Sequence, residues 1–330
     1  MDTATSYLGF RLAHPFIAGA SPLGAHLDSI KRLEDAGCAA VVLHSLFEEQ
    51  ITLASAGRIH RMDPLDARFS NELAGYPSAT EYPLSPDLYA EHIRLVKQAV
   101  KIPVIASLNG TSAESWLRFG HIIEQAGADA LEVNLYDVVT NLDASTMAVE
   151  QQLFDVTKEL KRVLKIPIAI KVSPFFAAFG HIARQLDRAG ADSLVLFNRF
   201  YQPDIDIRTM TVSSHVELST SAEPLLRLRW LSILHGRIRP SLAATGGVVT
   251  PDDGIKALLA GADVVQLVSS LLRHGPAYLS VMRQGLERWM EWHKFEALAD
   301  VRGRLSLQHV ANPAAFERAN YICALQSWGT

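Results

Sequence analysis

The tetrapeptide Ala-Gly-Ala-Asp occurs at residues 126–129, 189–192 and 260–263, and a relative of it, Ala-Gly-Cys-Ala, occurs at residues 36–39. Each copy ends a stretch with helical periodicity and leads directly into a short apolar run, such as ALEVNL at residues 130–135. The glycine supplies a left-handed residue, which ends a helix at little energetic cost. Each copy therefore marks the junction between a helix and the strand that follows it.

A second phrase, Lys-Ile-Pro plus an apolar run, alternates with the first at residues 101–110 and 165–174, with a looser echo at residues 238–247. Proline suits the first position of a strand because its missing N–H removes no ladder hydrogen bond there. The runs are apolar almost throughout, as expected of strands that are covered on both faces. With PFIAGAS at residues 15–21, the two phrases predict eight parallel strands alternating with helices, the (β/α)8 TIM barrel of the α/β class.

The barrel is expected over about residues 14–275 of a single domain spanning residues 1–330, with a helical C-terminal extension over about residues 276–330. Two connections exceed what a minimal barrel needs: an insertion after the second strand, over about residues 46–85, and one after the sixth, over about residues 199–223. Alternating apolar residues in the second insertion predict a small antiparallel hairpin. Both insertions follow the carboxyl ends of strands, where long ordered loops form pocket walls or lids.

Composition excludes several classes of partner. A net charge of −4 argues against a nucleic-acid-binding surface and against attraction to an anionic membrane. The chain holds two cysteines, Cys38 and Cys323, which suits a reducing compartment without a disulfide framework. No apolar run approaches the roughly 18 residues of a transmembrane helix, and no His/Cys/Asp spacing indicates a metal site. We therefore expect a cytoplasmic protein.

Two strand ends predict an anion site. The seventh strand finishes in Ala-Thr-Gly-Gly at residues 244–247, and the eighth finishes in Val-Ser-Ser at residues 268–270. Barrels of this type often hold a phosphate at the ends of these two strands, on backbone amides and a helix N-terminus. Gly246, Gly247, Ser269 and Ser270 are therefore candidate phosphate ligands. In the alternative interpretation, the glycine pair only turns the chain.

Polar residues close the four central strands, and apolar neighbours surround each: Asn109, Asn134, Lys171 and Asn198. A lysine inside an apolar strand is hard to explain as a solvated charge, so Lys171 is expected to have a task. The alternative is a structural ion pair inside the barrel, with Glu132 as its partner. Asparagines donate and accept hydrogen bonds, which suits the amide-like edge of a heterocycle. With the phosphate site, these residues indicate a planar nucleotide cofactor.

At these residues the chain resembles the dihydroorotate dehydrogenase family of FMN-containing (β/α)8 barrels, and within it the sequences described as dihydroorotate-dehydrogenase-like. The resemblance spans about residues 5–290 and rests on YLGFRLAHPFIAGASPLG (7–24), EVNL (132–135), IKVSPFF (170–176) and the run ATGGVV…SSLL (244–272). It implies an FMN cofactor and an oxidoreductase acting on CH–CH groups. Soluble members commonly form dimers, so we also expect a homodimer.

The resemblance also implies roles for individual residues. The FMN phosphate would lie on the glycine pair and Ser269-Ser270, and Lys171 would lie beside the ring, where it stabilises the anionic reduced flavin. The other implied cofactor-binding residues are Ala20, Ser21, Ser45, Asn109, Asn134 and Asn198. Asn134 and Asn198 would also contact the substrate.

The substrate half departs from the family pattern. The family motif Asn-Leu-Ser-Cys-Pro-Asn, with its cysteine base, is replaced by Asn-Leu-Tyr-Asp-Val-Val at residues 134–139, which also lacks the serine of the membrane-linked branch. The Lys-Ser pair that ends the second strand is His44-Ser45, the Asn-x-x-Gly-Leu-Pro segment reads Glu-Leu-Ala-Gly-Tyr-Pro at residues 72–77, and Arg199 follows the sixth-strand asparagine. The predicted substrate is therefore a small anionic molecule other than dihydroorotate.

Candidates for proton transfer replace the lost base. Asp137 is a candidate base and Tyr136 a candidate acid, and His44 is a further candidate because histidine titrates near neutral pH. Asp137 is equally consistent with a solvated loop residue. Arg199, with His215 from the same insertion, would bind a substrate carboxylate.

Three hypotheses follow. The first is an FMN-dependent oxidoreductase acting on a small anionic substrate. The second is a flavin-free barrel that binds a phosphorylated metabolite and uses Lys171 as a Schiff-base or proton-transfer lysine. The third is a non-catalytic flavoprotein that transfers electrons to, or regulates, a redox protein partner. A bound flavin separates the second from the other two.

Overall fold

The computed structural model describes residues 1–48, 85–110, 113–135, 138–199, 203–213, 217–318 and 320–327. Within them, eight parallel strands close into a barrel in chain order, and the sixth strand pairs with the seventh to complete the ring. These barrel strands are Phe16–Ala18, Val41–Phe47, Val104–Asn109, Ala130–Asn134, Ile168–Val172, Ser193–Leu196, Ser241–Thr245 and Val264–Leu267. The predicted (β/α)8 fold is confirmed.

Helices cover the outer face of the barrel. They comprise Leu27–Asp35, Pro86–Ala99, Ala113–Gln125, Thr146–Val163, Phe179–Ala189, Leu225–Leu234, Pro251–Ala260 and Ser269–His274. Two of the starts follow from the sequence, because the Ser85 side chain accepts from the Leu88 N–H, and Thr250 forms a capping box with Asp253. None of the described helices is long and apolar enough to cross a membrane.

An antiparallel pair of three-residue strands, Thr5–Tyr7 and Phe10–Leu12, fills the amino-terminal end of the barrel. Tyr7, Leu8 and Leu12 are buried in one apolar cluster with inward-facing barrel residues such as Ile17 and Val264. The Thr5 hydroxyl fixes this hairpin by donating to the carbonyl of Asp263. The sequence analysis did not identify this hairpin.

The two additions to the barrel that lie within the described residues match the prediction. An antiparallel hairpin, Asp204–Asp206 with Thr211–Ser213, follows the sixth barrel strand. The C-terminal extension contains the helices Tyr278–Trp292 and Asn320–Gln326 and the 3-10 turns Leu298–Asp300 and Pro313–Phe316. It lies against the outer helices, because backbone N–H groups at 303 and 307 donate to carbonyls at 258 and 232. Most of the insertion after the second strand lies outside the described residues.

Candidate functional site

A cavity opens at the carboxyl ends of the barrel strands. It measures about 550 Å³, including the part that opens to solvent. Seven residues singled out in the sequence line it: Ala20, Lys171, Asn198, Arg199, Gly246, Gly247 and Ser269. The structure therefore brings the lysine, the glycine pair and one serine to the same space.

Lys171 faces this cavity while its ammonium group is held from behind. The Nζ atom lies 3.1 Å from Oε1 of Glu132, which is fully buried, and Lys171 itself is 8% exposed. The other carboxylate oxygen of Glu132 accepts a 2.6 Å hydrogen bond from the Gln266 amide. The ion pair considered as an alternative therefore exists, and it positions the lysine at the cavity. The ion pair and the hydrogen bond to Gln266 fix the position of the Glu132 carboxylate, which in turn fixes the ammonium group of Lys171.

Two consecutive left-handed glycines follow the seventh strand, with φ of 82° at Gly246 and 81° at Gly247. A Cβ at Gly247 would lie 2.9 Å from Pro224, so a side chain there is excluded by space as well as by backbone conformation. The Gly247 N–H donates to the Ser219 hydroxyl at 3.0 Å, and that hydroxyl donates to Ser269 Oγ at 2.9 Å. We call Gly246, Gly247, Ser219 and Ser269 the glycine cradle. Converging amides and hydroxyls of this kind bind anions.

Ser270 is placed differently from its neighbour. Its side chain is fully buried and is absent from the cavity lining, and its Oγ has no hydrogen-bond partner among the described residues. Ser21 is also nearly buried and precedes the 3-10 turn Pro22–Ala25. Neither of these candidate cofactor ligands reaches the cavity.

Three polar side chains on the second to fourth strands bond to one another. Ser45 Oγ lies 2.7 Å from Ser107 Oγ, which also accepts from the Asn134 amide at 2.9 Å. The second amide hydrogen of Asn134 points to the Leu108 carbonyl at 3.3 Å. We call Ser45, Ser107 and Asn134 the amide cluster. Because both of its N–H groups are used, Asn134 presents only its oxygen to a ligand.

His44 points away from the cavity. Its Nδ1 lies 3.2 Å from the Gly24 carbonyl, and its ring packs edge-on against Tyr89. Burial lowers the pKa of His44 to about 4, so the imidazole is neutral at pH 7. A register shift between Val42 and Ser45 explains the direction, because one extra residue in the strand turns His44 outward and Ser45 inward.

Two of the remaining candidates lie within the described residues, and three lie outside them. Asn109 lies half-buried at the end of the third strand. Arg199 lines the cavity with its Nε 3.4 Å from a Glu223 carboxylate oxygen. Tyr136, Asp137 and His215 lie outside the described residues. Within those residues, no group of three or more His, Cys, Asp or Glu side chains is arranged to hold a metal ion.

Three polar residues that line the cavity were not predicted from the sequence: Ser219, Thr245 and Gln266. Gln266 carried a usable signal, because it interrupts the apolar run VVQLV just as Lys171 interrupts its own strand. Its Oε1 is buried without a hydrogen-bond partner among the described residues. Ser219 carried no signal, since it reaches the cradle from the second insertion, 50 residues before Ser269 in sequence.

A model of the dihydroorotate dehydrogenase family matches residues 85–290 of this sequence. The chain belongs to the dihydroorotate dehydrogenase family. Among its relatives, the dihydroorotate dehydrogenase B (NAD(+)) catalytic subunit of Thermoplasma acidophilum is 26% identical over 306 residues, which cover 92% of this chain and 98% of the relative. The residues that the family model matches include the glycine cradle, Lys171 and two members of the amide cluster, Ser107 and Asn134.

Two further relatives carry different names. The PreA subunit of NAD-dependent dihydropyrimidine dehydrogenase from Escherichia coli is 23% identical over 317 residues, or 92% of this chain and 76% of that protein. A putative dihydroorotate dehydrogenase A (fumarate) from Aeropyrum pernix is 26% identical over 253 residues, or 69% of this chain and 80% of that protein.

The residues of the cavity fit the FMN that the family implies. The glycine cradle brings a backbone N–H and two hydroxyls together, and a bound phosphate would take over the hydrogen bonds that these groups now make to one another. Lys171 supplies a cation, and the unsatisfied oxygen of Gln266 supplies an acceptor for a ring N–H. This donor set suits a phosphorylated planar heterocycle.

Proposed function

We propose that this protein is an FMN-dependent oxidoreductase that acts on a carbon–carbon bond of a small anionic substrate other than dihydroorotate. The observation that carries the proposal is that a buried lysine, paired with Glu132, lines the same cavity as the glycine cradle. Membership in the dihydroorotate dehydrogenase family supports the reaction class.

When bound, FMN supplies hydride transfer at its ring. The contribution of this chain is electrostatic and positional. Gln266 fixes the Glu132 carboxylate by a hydrogen bond, and that carboxylate orients Lys171. The ammonium group is therefore in place before any negative charge develops in the cavity. The glycine cradle would hold the phosphate, and the absence of side chains at Gly246 and Gly247 lets backbone approach it closely.

The substrate side of the proposal rests on charge. Arg199 and Asn198 line the cavity and would bind a substrate carboxylate. Arg199 is already paired with Glu223, so the substrate carboxylate would have to share its guanidinium with that side chain. Proton transfer is assigned to Asp137 or Tyr136, since the neutral His44 imidazole faces Gly24 and Tyr89 instead of the cavity.

A flavin-free barrel with a Schiff-base lysine is the weaker alternative. A lysine that attacks a carbonyl must have its nitrogen free, and the Lys171 Nζ is engaged by the fully buried Glu132 carboxylate at 3.1 Å. The other alternative is a non-catalytic flavoprotein, which would hold its flavin in the same cavity. It is favoured by the absence of the family's cysteine or serine base in the sequence after Asn134.

The first experiment is the absorption spectrum of the purified protein, before and after incubation with FMN. We expect a yellow protein with a band near about 450 nm. Protein that stays colourless after reconstitution would contradict both flavin hypotheses. Borohydride trapping of a carbonyl compound on Lys171 would then support the flavin-free barrel.

The second experiment separates the enzyme from the electron carrier. The flavin is reduced anaerobically, and its reoxidation by unsaturated carboxylates and pyrimidines, including orotate and uracil, is followed at the same band. We expect rapid reoxidation by one unsaturated anion, lost in Asp137→Asn or Tyr136→Phe, and slow reoxidation by orotate. If only a protein reoxidises the flavin, the function of this chain is that of an electron carrier.

Partners remain part of the proposal. Because the Thermoplasma acidophilum relative is named as a catalytic subunit, we propose a redox protein as the electron partner. We also propose a homodimer, with the small anionic substrate as its ligand. Light scattering of the purified protein tests the homodimer, and a monomeric mass at micromolar concentration would exclude it.

A further inference from the structure

Two arginines, Arg227 and Arg273, approach the glycine cradle from behind. Arg227 is 8% exposed, and its Nε donates to the Thr245 carbonyl while its Nη1 donates to the Glu223 carbonyl at 2.9 Å. A Cβ on Gly246 would lie 2.6 Å from Nη2 of Arg227, so the guanidinium packs directly on the glycine turn.

Arg273 holds the other side of the cradle. Its two terminal nitrogens donate to the carbonyls of Ser219 at 2.8 Å and Leu218 at 3.0 Å. Ser219 is the residue whose hydroxyl bridges the Gly247 N–H and Ser269. Each arginine is therefore bonded to backbone that shapes the cradle, and neither needs to enter the cavity to do so.

The charge of these arginines is not neutralised by contact. Among the described residues, no carboxylate oxygen lies within 4.0 Å of either guanidinium, and Glu223 is paired with Arg199 instead. Asp253 is nearby but is bonded to the Ser221 hydroxyl and to backbone N–H groups at 249 and 250. Arg227 is buried, whereas Arg273 is only partly buried. Buried charges in proteins are normally paired, so the Arg227 guanidinium, which no carboxylate of the described residues contacts, indicates a missing anion. Burial lowers the pKa of Arg227, and the attraction of the Glu223 carboxylate offsets this in part.

We infer that Arg227 and Arg273 are positioning residues that make the glycine cradle selective for a phosphate dianion, and hence for FMN over riboflavin. The inference rests on the proposed function. Arg227 fixes the turn through Thr245 and adds positive charge beneath it, and Arg273 fixes Ser219. The Arg227 charge acts on the ligand at a distance through a poorly solvated region, where electrostatic attraction is strong, whereas the partly buried Arg273 acts chiefly by fixing Ser219.

The test compares affinities for FMN and riboflavin, which differ by the phosphate alone. Flavin is removed by dialysis against potassium bromide, and each ligand is titrated by fluorescence quenching. We expect Arg227→Gln and Arg273→Gln each to weaken FMN about tenfold with riboflavin unchanged, and Arg227→Lys to stay within about threefold of the wild type. Arg229→Gln is the matched control, because Arg229 is exposed on the same helix. It should change neither affinity.

Three results overturn the inference. Equal weakening of FMN and riboflavin would mean that the arginines only fold the loop. Unchanged FMN affinity in both glutamine variants would mean that their charge does not reach the ligand. If Arg229→Gln weakens FMN binding as much as Arg227→Gln does, the effect comes from the net charge of the protein and not from the position of Arg227.

A wild-type protein that binds neither flavin would refute the proposed function. The arginines are then tested by inorganic phosphate, measured as a rise in melting temperature. Stabilisation by phosphate that Arg227→Gln and Arg273→Gln remove would support the dianion site. Absence of stabilisation in the wild type would overturn it. If Arg227→Gln does not fold, Arg273→Gln carries the same comparison.

Discussion

The glycine cradle and the amide cluster lie at the same face of the barrel but differ in what they offer to a ligand. The cradle lines the cavity, and two arginines support it from behind. Hydrogen bonds join the members of both groups, but neither Ser45 nor Asn134 of the amide cluster lines the cavity. The folded chain can therefore hold an anion at the glycine cradle, whereas a substrate must be recognised by residues outside the amide cluster.

The largest effect is expected at Lys171, which joins the cradle in lining the cavity. Lys171→Ala should lower turnover at least about 100-fold, because it removes the cation that, in the proposed function, would lie where reduced-flavin charge develops. It should also lower the flavin reduction potential, measured by equilibration with a reference dye. Lys165→Ala is the control, since Lys165 is exposed at the start of the same strand region. If Lys171→Ala keeps turnover within threefold of the wild type, Lys171 has no part in the reaction.

Glu132 links this lysine to the barrel interior. Glu132→Gln should lower the free energy of unfolding by about 3 kcal/mol, because a buried ammonium loses its carboxylate. Urea denaturation measures the change. The double variant Glu132→Gln/Lys171→Met should recover most of the loss, since no charge is left buried. As a control, Glu159→Gln breaks the exposed pair with Arg162 and should change stability by less than about 1 kcal/mol.

Acid should destabilise the side of the barrel that carries the amide cluster. Burial lowers the pKa of His44 to about 4 in the folded protein, below the unfolded value near about 6.5. The folded state therefore binds the proton less well than the unfolded state, so stability is complete above about pH 6.5 and falls as the pH drops toward 4. The expected loss attributable to His44 is of the order of 2 kcal/mol.

The check compares the wild type with His44→Phe by urea denaturation between pH 7 and pH 4.5. The variant should show a flatter dependence of stability on pH. Burial also lowers the pKa of His14 to about 4, but that contribution is common to both proteins and cancels. His121→Phe, at an exposed site, should retain the wild-type slope. Parallel curves for wild type and His44→Phe would show that His44 is not the group responsible.

The smallest effect is expected next to the cradle. Thr250→Ala removes the capping box of helix Pro251–Ala260 and should lower the free energy of unfolding by about 1 kcal/mol. FMN affinity should change less than twofold, because Thr250 contacts neither glycine of the cradle. Thr250→Ser keeps the cap and should behave as the wild type. A tenfold loss of FMN affinity in Thr250→Ala would show that the cradle depends on this helix start.

The sequence predicted those parts of the fold that repeat. The strands and the hairpin after the sixth strand depend on local patterns, and the structure confirms them. The N-terminal hairpin was missed because three-residue strands are too short to show a period. The buried pair of Lys171 and Glu132 was considered only as an alternative to function, whereas the structure shows that the pair itself faces the cavity.

The site was predictable only where strand ends alone determine it. Alternation along the second strand would point His44 inward, and one inserted residue between Val42 and Ser45 reverses that direction. Ser219 and Arg227 reach the cradle through tertiary contacts with Ser269 and Thr245, 50 and 18 residues away in sequence. No local pattern encodes such contacts. The predicted roles of Tyr136 and Asp137 stay predictions.

The hairpin that fills the amino-terminal end of the barrel is also tied to the last part of the chain. The Asp2 N–H donates to the Glu296 carbonyl, and the Leu298 N–H donates to the Asp2 carbonyl, both at 2.8 Å. During synthesis these bonds cannot form until residue 298 has left the ribosome. The N-terminal segment therefore gains these two bonds only after all eight barrel strands, the last of which ends at Leu267, have been synthesised.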